Sequence, residues 1–375
     1  MGERRLRLGM VGGGRGAFIG AVHRIASRID DRWELVAGAL SSDPDRARAS
    51  AEDLGLALDR AYSDFREMAR AESSRPDGID AVSIVTPNHM HADPAVAFLQ
   101  AGIHVICDKP LAATPDQAQA IAEAVRSSRA RFILTHNYTG YPLIRQAREM
   151  IANGDLGEIR LVQAEYAQDW LTETVEAAGT NKQAAWRTDP TQAGAGALGD
   201  IGTHAFSLLG FVTGLRPEAL LADLQSFGQG RRVDDNAHVL LRLEKGARGM
   251  LWASQVAPGN ENGLRLRVYG TKAGIEWEQE NPNAMTFAPL GEPKRLLTRG
   301  GAGLGGGASQ FTRIPPGHPE GYLEGFATLY KDAADLIQGT GDASLLPDIQ
   351  SGLDGMWFIA ACQQSSQAGG TWVQR

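Results

Sequence analysis

The stretch Gly12-Gly13-Gly14-Arg15-Gly16-Ala17 constrains this chain more than any other. It follows a short apolar run, Leu6-Arg7-Leu8-Gly9-Met10-Val11, and precedes a helical pattern over 17–28 and an apolar segment over 33–40. Strand, glycine turn, helix and strand is the order of a βαβ unit that holds a dinucleotide. The first glycine permits the tight turn, and the second lets the backbone approach a pyrophosphate. The helix start then offers N–H groups at the positive end of its dipole. An ordinary strand-to-helix turn can carry such a cluster as well, so the rest of the chain has to decide.

Residues 1–136 alternate apolar runs with helical patterns, which predicts a parallel sheet covered on both faces. Helix is expected over 44–54, 92–101 and from Thr114-Pro115, where threonine caps and proline takes the first helical position. Strands are expected over 81–85, 103–107 and 131–135. From about residue 155 longer segments with period-two alternation take over, at 159–166, 237–243, 249–256, 264–269 and 274–280. Joined by Gly, Asn and Pro turns, they predict antiparallel pairing. One helix interrupts them at 199–212, and two more close the sequence at 320–337 and 347–367. The fold class expected is α/β plus α+β. A Rossmann dinucleotide-binding domain spans 1–136, and a C-terminal α+β domain on an open, mainly antiparallel sheet spans 137–375. Gly300 to Gly307 holds six glycines in eight positions, which reads as a mobile lid or a disordered insertion.

Charge and cysteine content narrow the function classes. A formal net charge of −7 without a Lys/Arg-rich block argues against nucleic acid or an anionic membrane as partner. No run of about 18 apolar residues predicts a membrane span. Arg4-Arg5 leads straight into the first strand, without the apolar core of a signal peptide. Met1-Gly2 resembles a myristoylation start, but position 6 is leucine. Two cysteines, Cys107 and Cys362, make no disulfide framework, so a reducing cytoplasm is expected. Cys107 in its apolar strand reads as a buried thiol.

In a parallel α/β sheet, ligands gather outside the carboxyl ends of the strands. Three such ends carry unusual residues: the glycine turn, Thr86-Pro87-Asn88 and Asp108-Lys109-Pro110. A lysine held there by the following proline can donate or relay a proton once desolvated; a solvated loop lysine gives the same local sequence. Further on, Gly199-Asp200-Ile201-Gly202-Thr203-His204 places Asp200 and His204 four apart, on one helical face. A carboxylate beside an imidazole fixes its tautomer and supports its charge. Asp200 as a plain helix cap and His204 as a core histidine remain alternatives. No Cys/His cluster has zinc-like spacing, and no metal is expected.

Taken together, Gly-x-Gly at Gly12 and Gly14, Thr86-Pro87-Asn88, Asp108-Lys109-Pro110 and Gly199 to His204 resemble the Gfo/Idh/MocA oxidoreductases over essentially the whole chain. The resemblance implies Lys109 and His204 as the catalytic pair, with Asp200 positioning the substrate and the histidine. Hydride would pass between a nicotinamide and a carbinol carbon of a sugar, sugar derivative or cyclitol. His204 would take the hydroxyl proton as general base. The family's usual Gly-x-Gly-x-x-Gly-x-x-His is stretched here: the later Gly-x-x-His is Gly20 to His23, with about three extra residues around Arg15 to Phe18. At the end of the second strand the expected acidic residue is replaced by Ser41 and Ser42, with Arg46 and Arg48 nearby. Hydroxyls and arginine suit the 2′-phosphate of NADP, while Asp43 could still serve NAD. Cofactor contacts are therefore expected from Gly12, Gly14, Arg15, Gly20, Ser41, Ser42, Arg46, Thr86, Pro87, Asn88, His91, Asp108 and Lys109. Substrate contacts are expected from Lys109, Tyr138, Trp186, Arg187, Asp200, His204 and His318, and Asn137 is a further pocket candidate. A homo-oligomer is expected through an apolar outer face on 237–243 and 249–256. Two other readings share the fold: an NAD-dependent glycosidase, and a non-catalytic sugar or redox sensor. Retention of Lys109, Asp200 and His204 together argues against the sensor.

Overall fold

A computed structural model describes residues 4–176, 187–188 and 194–375. Contacts divide the chain into two compact units, Met1–Asn137 with Tyr322–Met356, and Tyr138–Gly321 with Trp357–Arg375.

The first unit is built on β1 (Leu6–Gly12), β2 (Trp33–Ala39), β3 (Ala81–Val85), β4 (His104–Cys107) and β5 (Phe132–Leu134), in the order β2-β1-β3-β4-β5. All four pairings are parallel. Every residue of β3 is buried, as a central strand covered on both faces must be. The covering helices are α1 (Phe18–Ile29), α2 (Pro44–Asp53), α3 (Phe65–Ser74), α4 (Ala92–Gln100) and α5 (Pro115–Ser127). Thr114 caps α5, its hydroxyl accepting from Gln117 N at 3.3 Å. The sequence pattern alone carries no helix expectation for α3. Asp64 starts it, accepting from the N–H groups of Arg66 and Glu67, and the buried Arg60–Glu72 ion pair ties it down. Cys107 is buried, and so is Cys362 of the second unit; burial pushes both thiols well up.

In the second unit nine strands form one sheet. They are β6 (Ile159–Ala167), β7 (Pro217–Gln225), β8 (Asn236–Leu243), β9 (Arg248–Ser254), β10 (Gly263–Gly270), β11 (Ala273–Glu278), β12 (Ala284–Pro289), β13 (Arg295–Thr298) and β14 (Val373–Gln374). Their order is β13-β12-β11-β10-β6-β9-β8-β7-β14. Only the central β6–β9 pair among these is parallel. Helices α6 (Pro142–Ala152) and α7 (Thr203–Thr213) supply Leu143, Ile144, Ala205, Leu208 and Leu209 to the core, against Val162, Val239, Leu251 and Leu266 of the sheet.

The other sheet face departs from expectation. On β8 and β9 the alanine, valine and most leucine side chains point to the core. His238, Leu240, Arg242, Arg248, Met250 and Trp252 point outward. Register continues the row Leu240–Met250 through Gln163, Arg267, Glu276 and Thr286 to Leu296. That face is half apolar and half an Arg/Glu lattice, because a period-two strand gives only alternate residues to each side.

Residues 300–307 also differ from the mobile lid expected. They lead into the short helix α8 (Gly306–Ser309) and dock on α6. Gly305 N donates to Gln146 Oε1 and Gly307 N to Glu149 Oε2, both at 2.8 Å. A Cβ at Gly307 would lie 2.6 Å from that carboxylate, so the glycines there serve close approach.

Helix α9 (Tyr322–Ile337) belongs to the first unit, whereas the expected boundary at 136 put it in the second domain. Its Phe326, Ala327, Leu329, Tyr330 and Ala333 share a core with Leu8 of β1, Val22 of α1 and Trp33 of β2. The last helix, α10 (Ile349–Gln367), runs across the return to the second unit.

Candidate active site

In the first unit, β1 delivers the chain to Gly12 and Gly13, both at positive φ, a conformation that glycine adopts without strain. Gly20, in the first turn of α1, sits against this turn. A Cβ at Gly20 would collide with Gly13 Cα and lie 2.9 Å from the Gly13 carbonyl oxygen. The helix start itself has no side-chain cap and no acidic residue in its first turn. Its N–H groups and positive dipole end are left for an anion. These features fit the pyrophosphate of a dinucleotide. Gly14 approaches Leu40 at the end of β2, where a Cβ would meet its carbonyl oxygen at 2.6 Å. Arg15 turns away from the glycines and pairs with Asp53 of α2, at 2.5 Å and 2.7 Å. Gly13, Gly14, Arg15, Phe18, Arg24 and Asp53 are among the residues lining a cleft of about 460 Å³ beside the turn.

At the end of β2, Ser41 is half-buried, and Ser42 and Arg46 are exposed. Asp43 is occupied as the N-cap of α2, accepting from Arg46 N at 2.8 Å, while its own N–H donates to Ser41 Oγ at 3.2 Å.

After β3, Thr86 and Pro87 are half-buried and Asn88 is buried. His91 lies underneath them, fully buried, with Nε2 2.9 Å from the Thr86 carbonyl and Nδ1 2.9 Å from that of Pro110. It braces the loop after β3 against the loop after β4 and offers no surface to a ribose. Burial pushes its pKa down, against the charge of Asp108.

Asp108 and Lys109 end β4, ahead of a cis Lys109–Pro110 bond. Asp108 Oδ1 accepts from Thr135 Oγ1 at 2.9 Å and lies 3.8 Å from His23 Nε2. His23 Nδ1 meets Tyr330 Oη at 2.9 Å and Ser83 Oγ at 3.2 Å. Burial works to raise the Asp108 pKa, but His23 and the charge of Lys109 outweigh it and hold the carboxyl below the usual carboxylate range. His136, after β5, is pushed down to about 3 by burial and the Lys109 charge. Lys109 therefore stands among a carboxylate and a neutral imidazole. Asn137, next in the chain after His136, is also buried.

In the second unit Asp200 lies in a π-helical turn, Leu198–Gly202, that runs directly into α7; such turns recur at functional sites. Asp234, at the approach to β8, fixes this start. Its carboxylate accepts from Gly196 N at 2.9 Å and Leu198 N at 2.7 Å, and its carbonyl accepts from Ala197 N. Asp200 Oδ2 accepts from Arg187 Nε at 3.2 Å and Gln255 Nε2 at 2.9 Å. His204 follows one turn later with its Nδ1 buried. Tyr138 meets it edge-on, ring centroids 4.9 Å apart. The Tyr138 hydroxyl is bound to Tyr166 Oη at 2.6 Å, and Tyr166 donates to Asn262 Oδ1 at 2.7 Å. Tyr138 thus supports the imidazole from behind. His318 is exposed, on a loop whose carbonyls accept from the buried Arg299, itself paired with Glu320. Trp186 lies outside the described residues.

Within the first unit, then, the structure gathers the glycine turn, the loop after β3 and Asp108-Lys109. Within the second it gathers Arg187, Asp200, His204 and Tyr138. Sequence reading passed over His136, Tyr166, Gln168, Asp234, Gln255 and Asn262. They stand singly at strand ends far apart in the chain, where no local spacing marks them. Among the described residues no three His, Cys, Asp or Glu side chains are arranged to hold a metal, and no helix is long and apolar enough to cross a membrane.

Comparison with known proteins agrees with this layout. Residues 6–147 match the model of an oxidoreductase family with an NAD-binding Rossmann fold, and residues 144–276 match the GFO/IDH/MocA C-terminal domain. The chain is 36% identical to the uncharacterised oxidoreductase YfiI of Bacillus subtilis (strain 168), over 99% of this chain and 97% of that protein. An oxidoreductase structure from Sinorhizobium meliloti is 56% identical with a TM-score of 0.91, covering 99% of this chain and all (100%) of that one. An inositol dehydrogenase homologue from Azotobacter vinelandii, solved with NAD⁺, is 40% identical with a TM-score of 0.94, covering 99% and 98%. The same protein has been solved with NADH and myo-inositol. Glycine turn, Asp108-Lys109-Pro110 and the Asp200–His204 turn thus fall where two family models and full-length relatives align, and the chain belongs to the Gfo/Idh/MocA family of oxidoreductases.

Proposed function

We propose that this protein is an NAD(P)-dependent dehydrogenase or reductase acting on a CH–OH group of a cyclitol, sugar or sugar derivative. The observation that carries the reading is the Asp200–His204 constellation, an imidazole held edge-on by Tyr138 one turn after a clamped carboxylate. When bound, the nicotinamide supplies the hydride acceptor or donor. Gly12 to Gly14 and the start of α1 would hold its pyrophosphate, and Thr86 to Asn88 its nicotinamide side. His204 takes the hydroxyl proton at Nε2, since its Nδ1 is buried. Asp200 supports the resulting positive charge and orients the hydroxyl, and Lys109 assists as second proton carrier. A positioned acid–base group of this kind contributes on the order of 10²–10⁴ in rate.

NADP is proposed as the cofactor. Ser41, Ser42 and Arg46 suit a 2′-phosphate, and Asp43 is engaged in capping α2. NAD is the second reading, favoured by the NAD⁺ complex of the Azotobacter vinelandii relative. A second copy is proposed to cover the outer sheet face through Leu240, Met250 and the Arg/Glu lattice, which light scattering on Met250→Arg would test.

The deciding experiment compares NADPH and NADH by quenching of tryptophan fluorescence, then screens inositols, aldoses and glycosides for turnover. Tighter NADPH binding with polyol oxidation is expected, and Lys109→Ala should abolish turnover while leaving cofactor affinity within a few fold. Binding of neither cofactor would sink the reading. Tighter NADH would reverse the cofactor assignment, and glycoside cleavage without net reduction would move the protein to the glycosidase class.

A further inference from the structure

Gln255 follows β9 and is 2% exposed. Its backbone is pinned on both sides: its N–H donates to the Asp235 carbonyl at 2.8 Å, and its carbonyl accepts from Leu171 N at 3.0 Å. The direction of its amide is fixed by its neighbours. Gln168 Nε2 donates to Asn262 Oδ1 at 2.9 Å, and its Oε1 accepts from Trp170 Nε1 at 3.0 Å. That acceptor faces Gln255 Nε2 at 3.5 Å. Nε2 is therefore the side of Gln255 turned to Asp200 Oδ2, at 2.9 Å. A buried amide whose own backbone cannot slide is a rigid donor, and a hydrogen bond to a charged acceptor is worth about twice a neutral one.

We propose that Gln255 is a positioning residue for the reaction, holding the Asp200 carboxylate ionised and in one rotamer beside His204. The inference rests on the function proposed above. Among the described residues, the charged and titratable groups near Asp200 include Arg187, which pairs with it, Tyr138, which feels its charge, and His204 one turn later. Burial and the Asp200 charge hold the Tyr138 hydroxyl neutral. The strand ends contribute the uncharged amides Gln168, Gln255 and Asn262. Replacing Gln255 by glutamate keeps its shape but turns the donor into an acceptor. Two carboxylates at that distance cannot both ionise freely.

The test uses the whole protein with the cofactor and polyol that give wild-type turnover. Gln255→Glu should lower kcat/KM at pH 7 by about tenfold or more and move its acid limb up by about one pH unit. Activity should recover towards pH 9. Gln255→Leu should lose about tenfold in kcat/KM with no such recovery. Cofactor affinity should stay within twofold in both, which also reports that they fold. Should Gln255→Glu not fold, Gln255→Leu carries the test alone. Asp200→Asn separates the two levels. Full activity in that variant overturns the proposed function itself. Loss there, with both Gln255 variants within twofold of wild type and the acid limb unmoved, overturns the role given to Gln255.

Discussion

Gly20→Ala is the most informative single change. The added Cβ would collide with Gly13 Cα and lie 2.9 Å from the Gly13 carbonyl, and both obstacles are backbone. Relief requires the glycine turn and the start of α1 to separate by about an ångström, and overpacking of that size costs about 1–3 kcal/mol. Alanine returns about 1 kcal/mol of helix propensity, leaving a net loss of up to about 2 kcal/mol. In a unit of this size, each 1 kcal/mol lowers the melting midpoint by about 2–4 °C. Because the part that moves is the one proposed to present its N–H groups to the pyrophosphate, a comparable fraction should appear in binding, or about tenfold in the dissociation constant per 1.4 kcal/mol. Gly210→Ala is the control: it lies in α7 with nothing within 4 Å of the new Cβ, and should stabilise by roughly 0.5–1 kcal/mol. Urea unfolding read on tryptophan emission and NADPH titration measure both effects. A Gly20→Ala protein with wild-type midpoint and wild-type cofactor affinity would falsify the close-packing argument.

Two further outcomes follow from buried groups. Asp234→Asn keeps the volume but turns part of the acceptor that receives Gly196 N and Leu198 N into a donor. It should cost about 1–3 kcal/mol and reduce kcat more than it raises KM, because the start of the Asp200 turn is loosened; unchanged kcat and stability would refute the clamp. His136 titrates at about 3 in the fold against about 6.5 in the unfolded chain, so the unfolded state binds the extra proton first. Its stabilising effect is present above pH 6.5 and is lost at about 1.4 kcal/mol per pH unit as pH falls towards 3. His136→Asn should flatten that acid limb in urea titrations across pH 4–7, and an equally steep limb would count against a neutral buried imidazole.

Much of this protein was legible because its signals are local. A glycine turn between a strand and a helix, a lysine ending β4, and an aspartate and histidine four apart are patterns set by backbone geometry within a few residues. The change from α/β alternation to period-two strands likewise marked the second sheet. Docking of distant segments was not legible. Nothing in the composition of 300–307 distinguishes a free glycine loop from one pressed against Glu149. Nothing in the apolar stripe of α9 says that it covers Val22 and Trp33 rather than the sheet that precedes it in sequence. The outer face of β8 and β9 is not legible from overall apolarity, because the pleat sends alternate residues to opposite sides.

The sequence by itself determined which chemistry-bearing groups exist and which local element each one ends: Lys109 on a strand, Asp200 and His204 on a helical turn, the glycines before α1. Those outcomes depend on interactions that span one or two turns of chain. Tertiary structure alone decided what surrounds them. It set Asp108 against Thr135 and His23, Asp200 against Gln255 and Arg187, and Asp234 under the start of its helix. Such pairings join residues from 13 to 85 positions apart, and they form only because burial removes the water that would otherwise satisfy each group separately.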